Sequence, residues 1–267
     1  MLFRSASNNT AVGYQAGYSN TTGIRNTFVG VEAGKTNTTT SYQTYVGFNS
    51  GLYASGNYNT ALGDRALEGA SAGSTGDWNA AVGHAALSAV TTGSTNIAMG
   101  VVALASNTSG SSNVALGVQA LTSNTTASYN TAVGYQAGYA NVVGTRNVFV
   151  GYQAGYPSLG NDNTAIGYSA FNNLATTAGN VTAVGSYALL NNQGNSNTAL
   201  GYQAGYSNTS GTLNVALGVQ SLYSNTTGSQ HVAIGYQASY SNISQSGTVS
   251  VGYQAAYSNT GSLITAV

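Results

Sequence analysis

Short apolar runs recur along this chain, each closed by a glycine and most led by an asparagine: NTAVG at Asn9 to Gly13, NTFVG at Asn26 to Gly30, NVALG at Asn113 to Gly117. Side chains within a run alternate with period two, which predicts a short strand. The closing glycines are Gly13, Gly30, Gly47, Gly63, Gly83, Gly100, Gly117, Gly134, Gly151, Gly167, Gly185, Gly201, Gly218, Gly235 and Gly252. Nine of the fourteen intervals between them are 17 residues long and the others are 16, 18 or 20, so one unit repeats along nearly the whole chain.

Aligning the copies on this glycine gives columns. Val, Leu, Ile or Met stands just before it in all fifteen copies, and Asn stands four before it in eleven. Ala stands three after it in thirteen copies, with Ser50 and Ser221 in the other two, and Asn recurs seven after it in ten. The alternation is read with the residues one and three before the glycine facing a core. The Ala and Asn columns two and four before it then form a small, flat outer face suited to packing against a copy of itself. A second extended segment is expected in phrases such as YQAGY, with Gly and Asn supplying positive-φ corners.

A 17-residue unit of two short strands cannot bury its apolar face alone, but stacked copies can. The fold class predicted is all-β: a parallel β-solenoid of about fifteen 17-residue coils, continuous over 9–267 after an N-terminal partial coil at 1–8. No segment shows a helical period, and 17 residues are too few for a propeller blade.

Composition narrows the function classes. Charged residues are 4% of the 267, the formal net charge is zero and there is no Cys. Neutrality argues against nucleic-acid binding, and the lack of Cys removes disulfides and thiolate metal sites. MLFRSASNN contains no apolar run of signal-peptide length, and no segment approaches 18 continuous apolar residues, so no membrane insertion is expected.

Phrases such as NTAVGYQA, NVALGVQAL and HVAIGYQASYSN resemble the YadA-like head repeats of trimeric autotransporter adhesins. They resemble still more closely the NTALGYQAL and SNTTG repeats of phage tail-fibre proteins. The resemblance covers residues 8–267. It implies a left-handed β-roll, three chains side by side as a homotrimer, and an adhesive or receptor-contacting role outside the cell, on a virion or bacterial surface. The repeat departs from the adhesins' usual 14-residue period.

The longest interval, Gly63 to Gly83, and its flanks hold Asp64, Arg65, Glu68, Asp77, the single Trp78 and His84. Asp64, Asp77, Trp78 and His84 form a candidate ligand contact, an aromatic beside carboxylates suited to a glycan or cation. The competing reading is a surface loop in which Asp64 and His84, one above the other, form an ion pair. Sequons at Asn20, Asn37, Asn107, Asn124, Asn208, Asn225 and Asn242 fall mostly in the SNTT turn and mark possible glycosylation. Asn8 and Asn180 carry two more. Tyrosines one and five after the glycine predict stacked aromatic ladders.

The two histidines, His84 and His231, are far apart in the register and no GxSxG elbow is present, so no enzyme activity, metal or cofactor is expected. The leading expectation is a non-enzymatic structural and adhesive fibre segment. Its partners are other copies of itself and a host receptor or cell-surface glycan. A second is a homopolymeric extracellular filament stacked end to end, since neither MLFRSASNN nor LITAV reads as a polar cap. A third, ice binding, is disfavoured because Val215, Val232 and Val249 interrupt the threonine column.

Overall fold

The fold is that of a computed structural model, which describes residues 6–71, 73–172, 177–259 and 261–267. The described residues contain short strands and turns but no helix. The chain divides into two compact units, residues 1–133 and 134–267. Of the partial coil expected at 1–8, only residues 6–8 lie among those described.

The first unit contains β1 (Thr10–Val12), β2 (Thr27–Val29), β3 (Thr44–Val46), β4 (Thr60–Leu62), β5 (Ala80–Val82), β6 (Ile97–Met99), β7 (Val114–Leu116) and β8 (Thr131–Val133). Each pairs in parallel with the next, column on column, as in Thr10 with Thr27 and Val12 with Val29. The second unit repeats this with β9 (Val148–Val150), β10 (Thr164–Ile166), β11 (Thr182–Val184), β12 (Thr198–Leu200), β13 (Val215–Leu217), β14 (Val232–Ile234), β15 (Val249–Val251) and β16 (Thr265–Ala266). Both are parallel β-solenoid, about fifteen coils in all with one strand in each, and β16 stands as a further strand after the last anchor glycine.

The predicted phase of the strand is inverted. Ala61, Ala98, Ala115 and Phe149, two before the glycine, are wholly buried. Val12, Leu62, Met99 and Leu200, just before it, are among the exposed residues, at 58, 49, 46 and 47%. The asparagines decide this. Asn113, four before its glycine, accepts from the Asn130 backbone N–H through Oδ1 at 3.0 Å and donates through Nδ2 to the Ala127 carbonyl at 2.9 Å. The same pair of bonds recurs at Asn26, Asn79 and Asn96. These backbone groups point into the coil where water cannot reach them, and an amide can both accept and donate there while a valine can do neither. Once Asn lies inside, period two places the next-but-one residue inside as well and sends the aliphatic columns out.

The segment after the glycine also differs from expectation. It is a run of turns rather than a second strand, with positive φ at Gln15 and Gly17 and at their counterparts in later coils. Its amides bond alternately within the turn and to the next coil, as in Ala16 N–H to Gly13 O at 3.3 Å and Gly17 N–H to Ala33 O at 2.9 Å. The anchor glycine does take positive φ, and a Cβ on Gly30 would stand 2.3 Å from the Gly47 carbonyl oxygen. The asparagine columns do not supply such corners. Gln, Leu, Tyr and other residues do.

The interior is filled by two facing columns that exchange bulk. Phe28, Tyr45 and Phe149 meet Gly34, Gly51 and Gly155 in their own coils, whereas Ala61, Ala81, Ala98 and Ala115 share coils with Leu67, Leu87, Leu104 and Leu121. In these coils one large side chain fills a core this thin and two would not fit, whereas Ala11 with Gly17 and Ala199 with Gly205 have none, and Phe28 and Leu189 of adjacent coils lie against those glycines.

Candidate functional site

The residues five before the glycine form an outward column of uniform backbone shape. Arg25, Tyr42, Tyr58, Trp78, Thr95, Ser112 and Tyr129 all have φ between 58° and 63°. Side chains therefore leave the coil in parallel, one level above another. Tyr42 and Tyr58 stack at 4.7 Å between centroids, and Tyr58 and Trp78 at 4.0 Å with an interplanar angle of 5°. The Arg25 guanidinium lies over the other face of Tyr42, 5.3 Å from its centroid, and Nη1 donates to the Tyr42 hydroxyl at 2.8 Å. This cation–π and aromatic stack fixes the orientation of Trp78.

The four residues of the predicted ligand contact fall into two places. Asp77 and Trp78 precede β5, and Asp77 Oδ1 accepts the Asn57 backbone N–H. Asp64 and His84 follow β4 and β5, and Asp64 Oδ2 lies 3.0 Å from His84 Nδ1. That pair is about half exposed on both sides, where an ion pair is worth little. Trp78 is thus exposed on the stacked column, while Asp64 and His84 partner each other elsewhere on the coil. Sequence reasoning missed Arg25, Tyr42 and Tyr58, although all three share Trp78's column in successive coils.

Asn20, Asn37, Asn107, Asn124, Asn208, Asn225 and Asn242 are buried, at 0–4% exposure, instead of standing on an outer turn. Asn107 Nδ2, for example, donates to Gly110 O at 2.9 Å inside the coil. A carbohydrate on any of these nitrogens is incompatible with the folded coil. Asn8 and Asn180, by contrast, are exposed.

The tyrosine columns are outward. Tyr135, Tyr152 and Tyr168 stack at 5.3 and 5.0 Å, and Tyr206, Tyr223, Tyr240 and Tyr257 at 5.0–5.1 Å. Beside them Gln203, Gln220, Gln237 and Gln254 form an amide ladder with bonds of 2.9 Å. Both ladders are polar at the rim and uncharged.

His231 occupies the inner asparagine column and reproduces its bonding. Nδ1 accepts the Thr248 backbone N–H at 3.3 Å, and Nε2 donates to the Gln245 carbonyl at 2.6 Å. Burial holds its pKa below the usual histidine value, with the two backbone bonds opposing that shift. Gln43 plays the same part below Asn59, whose N–H it accepts at 3.0 Å, and it also accepts the hydroxyl of buried Tyr45 at 2.7 Å.

Among the described residues no group of three or more metal-ligating side chains gathers, and no helix is long and apolar enough to cross a membrane. No protein-family model matches the chain, and no curated protein matches it.

Proposed function

We propose that the chain is a non-enzymatic structural and adhesive fibre segment, a left-handed β-roll that assembles side by side into a homotrimer on a virion or bacterial cell surface. One observation carries this reading: the outer strand face is apolar at level after level. In the first unit it presents Leu62, Ile97, Met99, Val101 and Val118, each at least 41% exposed, and in the second Ile166, Leu200, Leu217, Val219 and Val251. Eight strands at the usual spacing and the two columns beside the glycine make a mainly apolar band of roughly 300 Å² in each unit, interrupted in the first by Asp64 and His84 and flanked by a column rich in threonine. An area of that size on a chain with so few charges is best satisfied by burial against a copy of itself. This replaces the Ala and Asn face expected from the sequence, because those columns are inside.

What the assembly leaves uncovered is the tyrosine column five after the glycine, Tyr206, Tyr223, Tyr240 and Tyr257, with the glutamine ladder, an uncharged surface suited to a host receptor or cell-surface glycan. The repeat's resemblance to trimeric adhesin heads and tail fibres supports the same carrier and the same three-chain arrangement. Sedimentation equilibrium at micromolar concentration tests it. A species of three times the 26.8 kDa chain is expected, and a monomer would overturn the assembly.

A further inference from the structure

The aromatic column does not end at Trp78. Thr95 and Ser112 occupy the next two levels, and Tyr129 the one after. Backbone bonds link these levels in sequence, from Thr95 N–H to Asp77 O at 2.9 Å, Ser112 N–H to Ser94 O at 3.0 Å and Tyr129 N–H to Ser111 O at 3.1 Å. Three strand spacings therefore separate Trp78 from Tyr129, about 14 Å along the column.

One face of Trp78 is covered by Tyr58 at 4.0 Å, yet Trp78 is 58% exposed, so its other face is open to solvent. Threonine and serine are too short to cover it. Tyr129 is 65% exposed. The result is a notch with an indole on one wall, a phenol on the other and two hydroxyls as its floor. Thr95 Oγ1 and Ser112 Oγ lie 3.0 Å apart, and Thr95 Oγ1 donates to Ser94 O at 2.6 Å.

We propose that this notch, Trp78–Thr95–Ser112–Tyr129, binds the rings of a neutral hexopyranose oligosaccharide. With about 4 Å of contact at each wall, about 6 Å remains between the two contacting planes, so each wall can carry one saccharide ring. A pyranose has an apolar C–H face that packs on an aromatic ring and a hydroxyl edge that needs partners able to donate and accept, which is what the floor provides. A purely aromatic ligand would leave those hydroxyls idle, and an anionic one would meet the Asp77 carboxylate beside Trp78, whose charge is not cancelled by accepting the Asn57 N–H through Oδ1. The stack beneath, anchored by Arg25, holds the indole in place before the ligand arrives. The site deepens the attachment reading above and rests on it for its biological meaning.

Trp78 is the only tryptophan beside 20 tyrosines, so emission excited at the red edge of the absorption, where tyrosine does not absorb, reports this notch. Titration of the intact chain with cellotetraose is expected to shift and saturate the emission over the millimolar range. Thr95→Tyr continues the stack into the notch and is expected to weaken the response about tenfold or more while Trp78 remains as reporter. Tyr129→Ala, at an exposed position, is expected to weaken it less. Emission indifferent to the sugar, or a response unchanged in Thr95→Tyr with its circular dichroism intact, would overturn the site. Emission that follows protein concentration but not sugar would overturn it in favour of a contact between copies. A trimer without the fluorescence response sinks only the sugar site, and a response in a monomer sinks only the assembly.

Discussion

Phe28 and Gly34 face each other within one coil so closely that a Cβ on Gly34 would lie 2.5 Å from Phe28 Cε1. The constraint is steric, and Phe28 imposes it on Gly17 of the preceding coil as well. Leu67, Leu87 and Leu104 take the same place in other coils at φ of 50–53°, close to the 57° of Gly34. Leucine is therefore compatible with the backbone there, and only Phe28 excludes it. Phe28→Ala alone is expected to cost about 3–5 kcal/mol through the void it leaves, and Gly34→Leu alone to destabilise by overpacking. The double variant reproduces the Ala–Leu arrangement of other coils, such as Ala61 with Leu67, and should be more stable than either single one. Denaturant unfolding of the four proteins checks it, and additive effects would show that the two columns do not share one space.

The sequence makes the repeat, the strand and the stacking legible, because a strict period can satisfy columns of like residues only in stacked coils. It misleads on which face is inside. Val12 and Leu62 look like core residues and Ala11 and Ala61 like surface, and ordinary burial tendencies favour that reading. The signal for the reverse lies in bulk: Phe28, Tyr45 and Phe149 coincide with Gly34, Gly51 and Gly155, while Ala61 and Ala98 coincide with Leu67 and Leu104. Such compensation belongs to an enclosed space. The site was partly legible, since Trp78 stands out by composition, but its stack on Tyr58 and its open side follow from a common backbone angle that no single residue type reveals.

His231 gives the fold a specific response to acid. In the folded chain its Nδ1 must stay unprotonated to accept the Thr248 N–H, and its pKa is lowered chiefly by burial. The unfolded chain binds a proton near the ordinary histidine value of about 6.5, and the folded chain does so only at lower pH. The contribution is thus complete above that value and is lost as pH falls below it, towards the folded pKa. Thermal melts at pH 7 and pH 5 are expected to differ more for the native chain than for His231→Asn, which keeps both bonds without a titrating group. Parallel pH dependences would contradict this.

Asn113 tests the inner ladder in the first unit. Alanine in its place leaves the Asn130 N–H buried without its acceptor, takes from the Ala127 carbonyl one of its two donors so that only Asn124 Nδ2 remains at 3.1 Å, and removes the bond to Asn96 Oδ1 at 3.2 Å as well. A loss of about 2–4 kcal/mol is expected from these unmade bonds. Aspartate is expected to be worse at neutral pH, since it cannot donate to Ala127 and brings an unpaired charge inside. Chemical denaturation of both variants checks the order, and an alanine variant within about 0.5 kcal/mol of the native chain would show that the ladder is dispensable.

Leu62 and Met99 separate assembly from folding. Both are nearly half exposed on the outer strand face, so a polar group there meets solvent in an isolated chain. Changing both to aspartate puts charge into the face that copies would share, where burial without a partner costs several kcal/mol per group. The expected outcome is a chain with native circular dichroism that sediments as a monomer. Thr10→Asp and Thr60→Asp, in the adjoining column, bring the same charge to residues that are also exposed and should disrupt assembly to a similar extent if the whole face is shared. Substitution at Asn57, which lies outside the apolar columns, should leave the oligomer unchanged. An oligomer that survives Leu62→Asp with Met99→Asp must be held by another surface.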